Sequence, residues 1–314
     1  MTSADSPDTT GAPDVIIAGG MKCGSSTLHR SLEQHPDVWM ASGEQYLLDM
    51  DDRNVHPEFP PFNSQVSEPD LLRYLRSEYR RRFTSSADVT GERSTTYLYS
   101  RKTPVRIRKL FPDARVIILL RNPVKRAYSH YWHRIRTGRE TLTFDQRIRS
   151  PGSVVLKRGD YREAIERYLD RFPNDQLMIL VFERFVDQFS TVIKEVLEFL
   201  DLPSVDDPDN LRQKGNEGRV PLSVSLQLKY NQLSRRLVPY RYQDVRPGTN
   251  PDFLRKGLFL IDSGVRRLWN VRWRSRPEMS DDARAFLRDH YRRTNNGLSQ
   301  LIGRNLDDYW PFLA

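Results

Sequence analysis

Short apolar runs alternate, over the first two hundred residues, with segments whose apolar positions recur every three to four residues. Val15-Ile16-Ile17-Ala18 runs into Gly19-Gly20, and the following SSTLHRSLEQH carries Leu28 and Leu32 at helical spacing. That order predicts a strand, a glycine turn and a helix. A second short run, Val38-Trp39-Met40, follows His35-Pro36. Residues 71–83 place Leu72, Leu75 and Tyr79 on one predicted helical face with arginines around the rest, and Asp88-Val89-Thr90-Gly91 reads as a short strand. The strongest strand is Ala114 to Leu120, an almost unbroken apolar run ending at Arg121-Asn122-Pro123, of the kind buried on both faces of a parallel sheet. Gln176 to Phe182 is the next strand, preceded by a predicted helix over about 160–171 and followed by one over about 186–200. Such alternation predicts a doubly wound α/β sheet with ligands at the carboxyl ends of its strands, so the loops after Ala18 and after Leu120 should share an edge. Beyond Leu202 the alternation stops. Residues 203–280 are rich in Pro, Arg, Tyr and Trp, and a last helix is expected from about Ser280 to Ile302. Residues 1–13 read as a disordered tail and 14–314 as one domain, with 203–280 as an acceptor-binding elaboration.

Charge narrows the partners. The 314 residues include 50 Lys and Arg against 41 Asp and Glu, a net charge of +9, which favours anionic ligands without choosing one. Cys23 is the one cysteine, so no intrachain disulfide forms and no oxidising compartment is required. The polar N-terminus has no apolar signal core, and no apolar run approaches the ~18 residues of a membrane span, so a cytoplasmic protein is expected. The six histidines and Cys23 show no metal-ligand spacing, and no metal is expected.

The chemistry concentrates in two loops. AGGMKCGSST, residues 18–27, has the GxxxxG frame of a phosphate loop, but Ser25 stands where a nucleoside-triphosphate loop has its lysine, and Lys22 lies inside the turn. Gly19 and Gly24 let the backbone wrap an anion, the opening helix offers N–H groups, and Ser25, Ser26 and Thr27 add hydroxyls. Without the usual lysine, and without a carboxylate at a strand end, the pattern fits a phosphate-like anion bound without magnesium. The second loop is RNPVKRAYSHYWHR, residues 121–134. Arg121 leaves the strand end and Ser129 lies on the helix that Asn122 or Pro123 starts, a pair able to clamp a second phosphate.

GGMKCGSSTLHRSLEQHP and LLRNPVKRAYSHYWH resemble the 5′-phosphosulfate loop and the 3′-phosphate motif of sulfotransferases that use 3′-phosphoadenosine 5′-phosphosulfate (PAPS), especially the bacterial and heparan-type carbohydrate enzymes. The resemblance continues through NEGRVPLS, residues 216–223, to LSQLIGRNLDDYW near the C-terminus. It implies a P-loop-like three-layer α/β sandwich with a central parallel sheet and a helical and loop C-terminal elaboration. It also implies that Lys22 meets the bridging oxygen of the donor, that Gly24, Ser25, Ser26 and Thr27 hold the 5′-phosphosulfate, and that Arg121 and Ser129 hold the 3′-phosphate. Gly218 and Arg219 would close over the nucleotide. Glu44, in SGEQYLLDM, matches the catalytic glutamate of the heparan-type enzymes, although Leu47-Leu48 replaces their aromatic pair and Gly43 the preceding lysine common in bacterial relatives. His133, four residues beyond Ser129, is the competing general base. Arg93, in GERSTTYLY, falls where relatives often have a lysine and reads as a sulfate or acceptor contact. The implied reaction is in-line sulfuryl transfer to a hydroxyl.

The acceptor stays open. The 235–276 segment with its Trp269 and Trp273, together with the basic 71–83 helix, suits a sugar, an anionic glycan, a glycolipid at a membrane surface or a phenolic natural product. Two other classes compete: an ATP- and magnesium-dependent P-loop kinase, and a basic nucleic-acid-binding protein with steeply salt-dependent binding. The paired loops favour the sulfotransferase, with no nucleic-acid partner.

Overall fold

The computed structural model of the chain describes residues 11–52, 55, 66–213, 220–237, 257, 260, 262, 264, 270, 271 and 276–313. The chain forms two compact units, one from Met1–Val55, Pro61–Leu120 and Ala164–Lys214, the other from His56–Pro60, Arg121–Glu163 and Gly215–Ala314.

The first unit holds the sheet. Its strands are β1 (Val15–Ile17), β2 (Val38–Met40), β3 (Val89–Arg93), β4 (Arg115–Leu120) and β5 (Leu177–Val181). They are ordered β2-β3-β1-β4-β5, and every pairing is parallel. Each strand therefore needs a crossover, and helices supply them: α1 (Ser25–Leu32), α2 (Glu68–Arg82) and α3 (Thr103–Leu110). In the register, Ile17 stands between Arg93 and Ile117. Val116 to Leu120 are wholly buried, as the unbroken apolar run predicts for a strand covered on both faces.

One face of the sheet packs Val15, Ile17, Ile117 and Leu119 against Leu28 and Leu32 of α1 and against Val192, Ile193, Val196 and Leu197. The last four lie on α9 (Phe189–Phe199). The single helix expected over 186–200 is in fact two, because α8 (Phe182–Asp187) starts directly from β5 and the chain leaves helical geometry at Gln188. In α2 the buried stripe is Leu71, Leu75 and Tyr79, so Leu71 takes the inward place expected of Leu72. Positions spaced by four carry one stripe, and Tyr79 fixes which stripe it is.

Tyr79 reaches a buried carboxyl. Its hydroxyl donates to Glu92 Oε1 at 2.6 Å, on a strand residue with no exposed surface. Burial, opposed by the Tyr79 hydrogen bond and reinforced by Asp49, pushes the Glu92 carboxyl from 4.5 up to about 8. The fold keeps a proton that the unfolded chain gives up, so this stabilisation is complete below about pH 4.5 and is lost as the pH rises through about 8. Denaturant midpoints should fall across that window by up to about 1.4 kcal/mol per pH unit. Glu92→Gln, which still accepts from Tyr79, should flatten that slope; an unchanged slope would place the titrating group elsewhere.

The second unit contains α4 (Pro123–Arg136), α5 (Phe144–Arg149) and α6 (Val154–Lys157), with α7 (Arg162–Leu169) beginning in it and ending in the first unit. Asn122 caps α4 by accepting from the amides of Val124 and Lys125 at 3.1 and 3.2 Å, and Pro123 occupies the first helical position, where its missing N–H costs nothing. An antiparallel pair joins β6 (Val220–Pro221) to β7 (Asn270–Val271), and α10 (Val224–Leu237) follows β6. The sequence reading gave α10 no helix because its polarity is inverted. Gln227, Asn231 and Ser234 are buried while Leu226 and Leu233 are exposed. Asn231 Nδ2 donates to the carbonyls of Ile135 and Glu140 at 3.2 and 2.7 Å, so α10 docks by hydrogen bonds.

The last helix also differs from expectation. It runs Asp281–Thr294, capped by Ser280, and a separate turn, Leu298–Leu301, begins after Gly297 at φ 73°. The break has a purpose in packing: Asn295 Oδ1 accepts from the amide of Tyr161 at 2.7 Å and its Nδ2 donates to the carbonyl of Gly159 at 2.9 Å.

Candidate functional site

The loop after β1 is fastened to the sheet at both sides. Gly20 donates its amide to the Leu119 carbonyl at 2.8 Å, the Leu119 amide donates to the Gly19 carbonyl at 3.1 Å, and the Met21 amide donates to the Tyr99 hydroxyl at 3.2 Å. The loop thus stands at the carboxyl ends of β1 and β4, the edge expected for a ligand. Its turn needs left-handed backbone at Lys22, φ 68°, and at Gly24, φ 95°. For lysine that geometry costs on the order of 1 kcal/mol or more, and the surrounding hydrogen bonds hold it. Gly24 is demanded twice over, since a Cβ there would also lie 2.7 Å from Phe182 Cδ2. Cys23 is a packed small residue, wholly buried, with its thiol 3.6 Å from the Met21 carbonyl.

Gly24 caps α1 without a side chain, and the first turn has no carboxylate, so the positive end of this helix is not neutralised from within. Ser25 is buried. Ser26 Oγ accepts from Arg93 Nη1 at 2.7 Å, and the same nitrogen donates to Glu44 Oε1 at 3.1 Å. Glu44 Oε2 accepts from Thr95 Oγ1 at 2.7 Å. A continuous chain of contacts therefore joins a hydroxyl of the phosphate loop, a guanidinium at the end of β3 and the candidate base. The Glu44 side chain keeps 20 % of its surface exposed, enough to meet an acceptor. Next to it, Gln45 Oε1 accepts from Arg82 Nη1 at 2.8 Å, which ties the basic end of α2 to the same loop. Leu47 and Leu48, which replace the aromatic pair, are wholly buried, and their amides donate to the Tyr97 hydroxyl at 3.1 and 3.3 Å. They belong to the core beneath Glu44.

Two members of this set escaped the sequence reading. Thr95 lies two residues beyond Arg93, just past the strand, where nothing in the residue type marks it. His29 sits one turn after Ser26 on α1 and is buried. Burial, then the charges of Arg93 and Arg30, bring its imidazole down to about 4 against the opposing pull of Glu44. At neutral pH it is uncharged and adds nothing to the cationic side of the site.

The second unit carries the other predicted residues. Arg121 follows β4, and its carbonyl accepts from the Tyr161 hydroxyl at 2.9 Å. Tyr161 is wholly buried beside Trp310, so the backbone at Arg121 is fixed from the core of that unit. Ser129 is buried, and His133 and Arg136 follow it at one-turn intervals on α4. His133 Nδ1 lies 3.3 Å from Arg136 Nη2. The predicted residues thus form two sets: Lys22, Gly24 to Thr27, Glu44 and Arg93 in the first unit, and Arg121, Ser129 and His133 in the second. Gly218, Arg219, Trp269 and Trp273 lie outside the described residues. Among the described residues no helix is long and apolar enough to cross a membrane, and no three His, Cys, Asp or Glu side chains are grouped to hold a metal.

A family model described as Sulfotransferase family matches residues 13–207. The chain belongs to the sulfotransferase family. The matched span contains every described member of both sets and ends before Gly218 and Arg219. Heparan sulfate glucosamine 3-O-sulfotransferase 3B1 of Mus musculus is 29% identical over 203 residues, covering 62% of this chain and 47% of the relative. Bifunctional heparan sulfate N-deacetylase/N-sulfotransferase 1 of Xenopus tropicalis is 25% identical over 306 residues, covering 92% of this chain and 30% of the relative. The sulfotransferase chain described here therefore spans less than half the length of these curated relatives. The crystal structure of a sulfotransferase from Alicyclobacillus acidocaldarius superposes with a TM-score of 0.60 at 25% identity, covering 95% of this chain and 98% of that one. The five-stranded parallel sheet flanked by helices is the P-loop-like fold of the sulfotransferases.

Proposed function

We propose that the protein transfers the sulfuryl group of PAPS to a hydroxyl of a carbohydrate acceptor, and that it does so without a metal ion. The observation that carries this reading is the chain Ser26, Arg93, Glu44: a carboxylate held, through one guanidinium, to a hydroxyl of a glycine loop that has its lysine inside the turn. Such a loop fits a donor whose leaving oxygen is bridging and whose charge is met by protein groups. Lys22 neutralises the charge that grows on that oxygen, and the hydroxyls and amides from Gly24 to Thr27 hold the 5′-phosphosulfate. Glu44 takes the proton of the acceptor hydroxyl, while Arg93 orients the carboxylate and balances its charge. Arg121 and Ser129 hold the 3′-phosphate. His133, engaged with Arg136, is given no proton transfer in this reading. The glycan acceptor is supported by the names of the relatives, which sulfate heparan sulfate, and by the arginines at the end of α2 beside Gln45.

Incubation with PAPS carrying radiolabelled sulfur, EDTA and a panel of heparan-type oligosaccharides should transfer label to a glycan and release 3′-phosphoadenosine 5′-phosphate in equal amount. Label that moves to no acceptor, together with consumption of ATP only when magnesium is supplied, would replace this reading by the kinase. Arg121→Ala should weaken binding of 3′-phosphoadenosine 5′-phosphate by about ten- to a hundredfold, the loss of one or two charge-assisted hydrogen bonds. Affinity for 5′-AMP should hardly change, and equal losses for the two nucleotides would contradict the assignment.

A further inference from the structure

The C-terminal edge of the Arg, Trp and Tyr-rich segment belongs to the nucleotide, not to the acceptor. Within the second unit, the Tyr128 hydroxyl donates to the carbonyl of Pro277. That bond fixes the chain next to α4, one residue before Ser129, and brings in Arg276 as the neighbour of Pro277. Arg276 is partly buried. Its cationic form is disfavoured by burial and then by Arg121 and Arg136, against a smaller favourable pull from Tyr128. Three guanidiniums thus share one region around Ser129. The carboxylate that acts on Tyr128 is Asp145, and it is engaged elsewhere, accepting from Arg149 Nη1 and from Ser280 Oγ at 3.2 Å each.

Like charges gathered in a half-buried place cost stability unless an anion relieves them. A phosphate monoester carries about two negative charges at neutral pH and three acceptor oxygens, so Arg121 alone would neutralise only half of it. We infer that Arg276 completes the 3′-phosphate site, joining Arg121 and Ser129 as a second guanidinium on the phosphomonoester. The inference rests on the PAPS reading and deepens it. Arg276 then sets specificity: it rewards a nucleotide with a 3′-phosphate and does little for one without it.

The test is calorimetric titration of the full chain with 3′-phosphoadenosine 5′-phosphate and with 5′-AMP, using wild type, Arg276→Gln, Arg276→Lys and the exposed control Arg304→Gln, each checked for an unchanged thermal midpoint. Arg276→Gln should weaken the bisphosphate by about ten- to a hundredfold and leave 5′-AMP nearly unaffected. Arg276→Lys, which keeps the charge but not the fork of donors, should recover part of the loss, and Arg304→Gln should lose nothing. A wild-type preference for the bisphosphate that survives in Arg276→Gln overturns this inference alone, as does an equal loss for both nucleotides. A wild type with no preference for the 3′-phosphate removes the PAPS reading and this inference with it.

Discussion

Glu44→Gln is expected to lower kcat for sulfuryl transfer by about 10²- to 10⁴-fold, the usual worth of a positioned general base, while nucleotide affinity stays close to wild type. Glutamine is the informative replacement because its amide oxygen can still accept from Arg93 Nη1 or Thr95 Oγ1, the two donors that hold Glu44 at 3.1 and 2.7 Å. The loop should therefore keep its place, and only the proton acceptor is removed. Alanine would confound the result, because it would leave the partly buried Arg93 without its carboxylate, a change that is costly in itself. Steady-state turnover with saturating donor, with calorimetry for nucleotide binding, separates the two effects. Turnover within about threefold of wild type would exclude Glu44 as the base and return His133 to consideration.

Lys22→Ala should cost about 10²- to 10³-fold in kcat, comparable with removing one donor aimed at a developing oxyanion. The loss should fall on the chemical step, since the amides and hydroxyls from Gly24 to Thr27 still hold the ground state. Backbone strain offers a control. Lys22 occupies left-handed backbone at φ 68°, a conformation that glycine adopts freely. Lys22→Gly should thus be at least as stable as wild type in thermal melts and yet as slow as Lys22→Ala. If Lys22→Gly kept wild-type turnover, the ammonium would have no part in the reaction and the lysine would serve only the loop.

Much of the fold was legible because the signals are local. The run from Val116 to Leu120 can be read as a doubly covered strand from its composition alone, and Asn122-Pro123 announces a helix start through the backbone chemistry of two residues. The glycine loop was legible for the same reason, since Gly24 meets a positive φ that few other residues tolerate. What the sequence hid is non-local. Ser26 and Glu44 are 67 and 49 positions from Arg93, and only the parallel placement of β1 beside β3 brings the Arg93 guanidinium to the loop. In α10 the hydrophobic pattern pointed the wrong way, because Gln227 and Asn231 are inside by virtue of partners on other segments. Asn295, likewise, breaks the last helix to serve amides more than a hundred residues away in sequence. Arg276 looked like one more basic residue in a basic segment until Tyr128 tied its neighbour to α4.

The most direct measurement of the central claim is calorimetric titration of the purified wild-type chain with 3′-phosphoadenosine 5′-phosphate, ATP and 5′-AMP, all in EDTA. The account predicts tight binding of the bisphosphate and little heat from ATP or 5′-AMP, because recognition is divided between a metal-free phosphosulfate loop and a separate set of residues for the 3′-phosphate. Equal affinity for the three nucleotides, or heat from ATP that appears only when magnesium is restored, would contradict it.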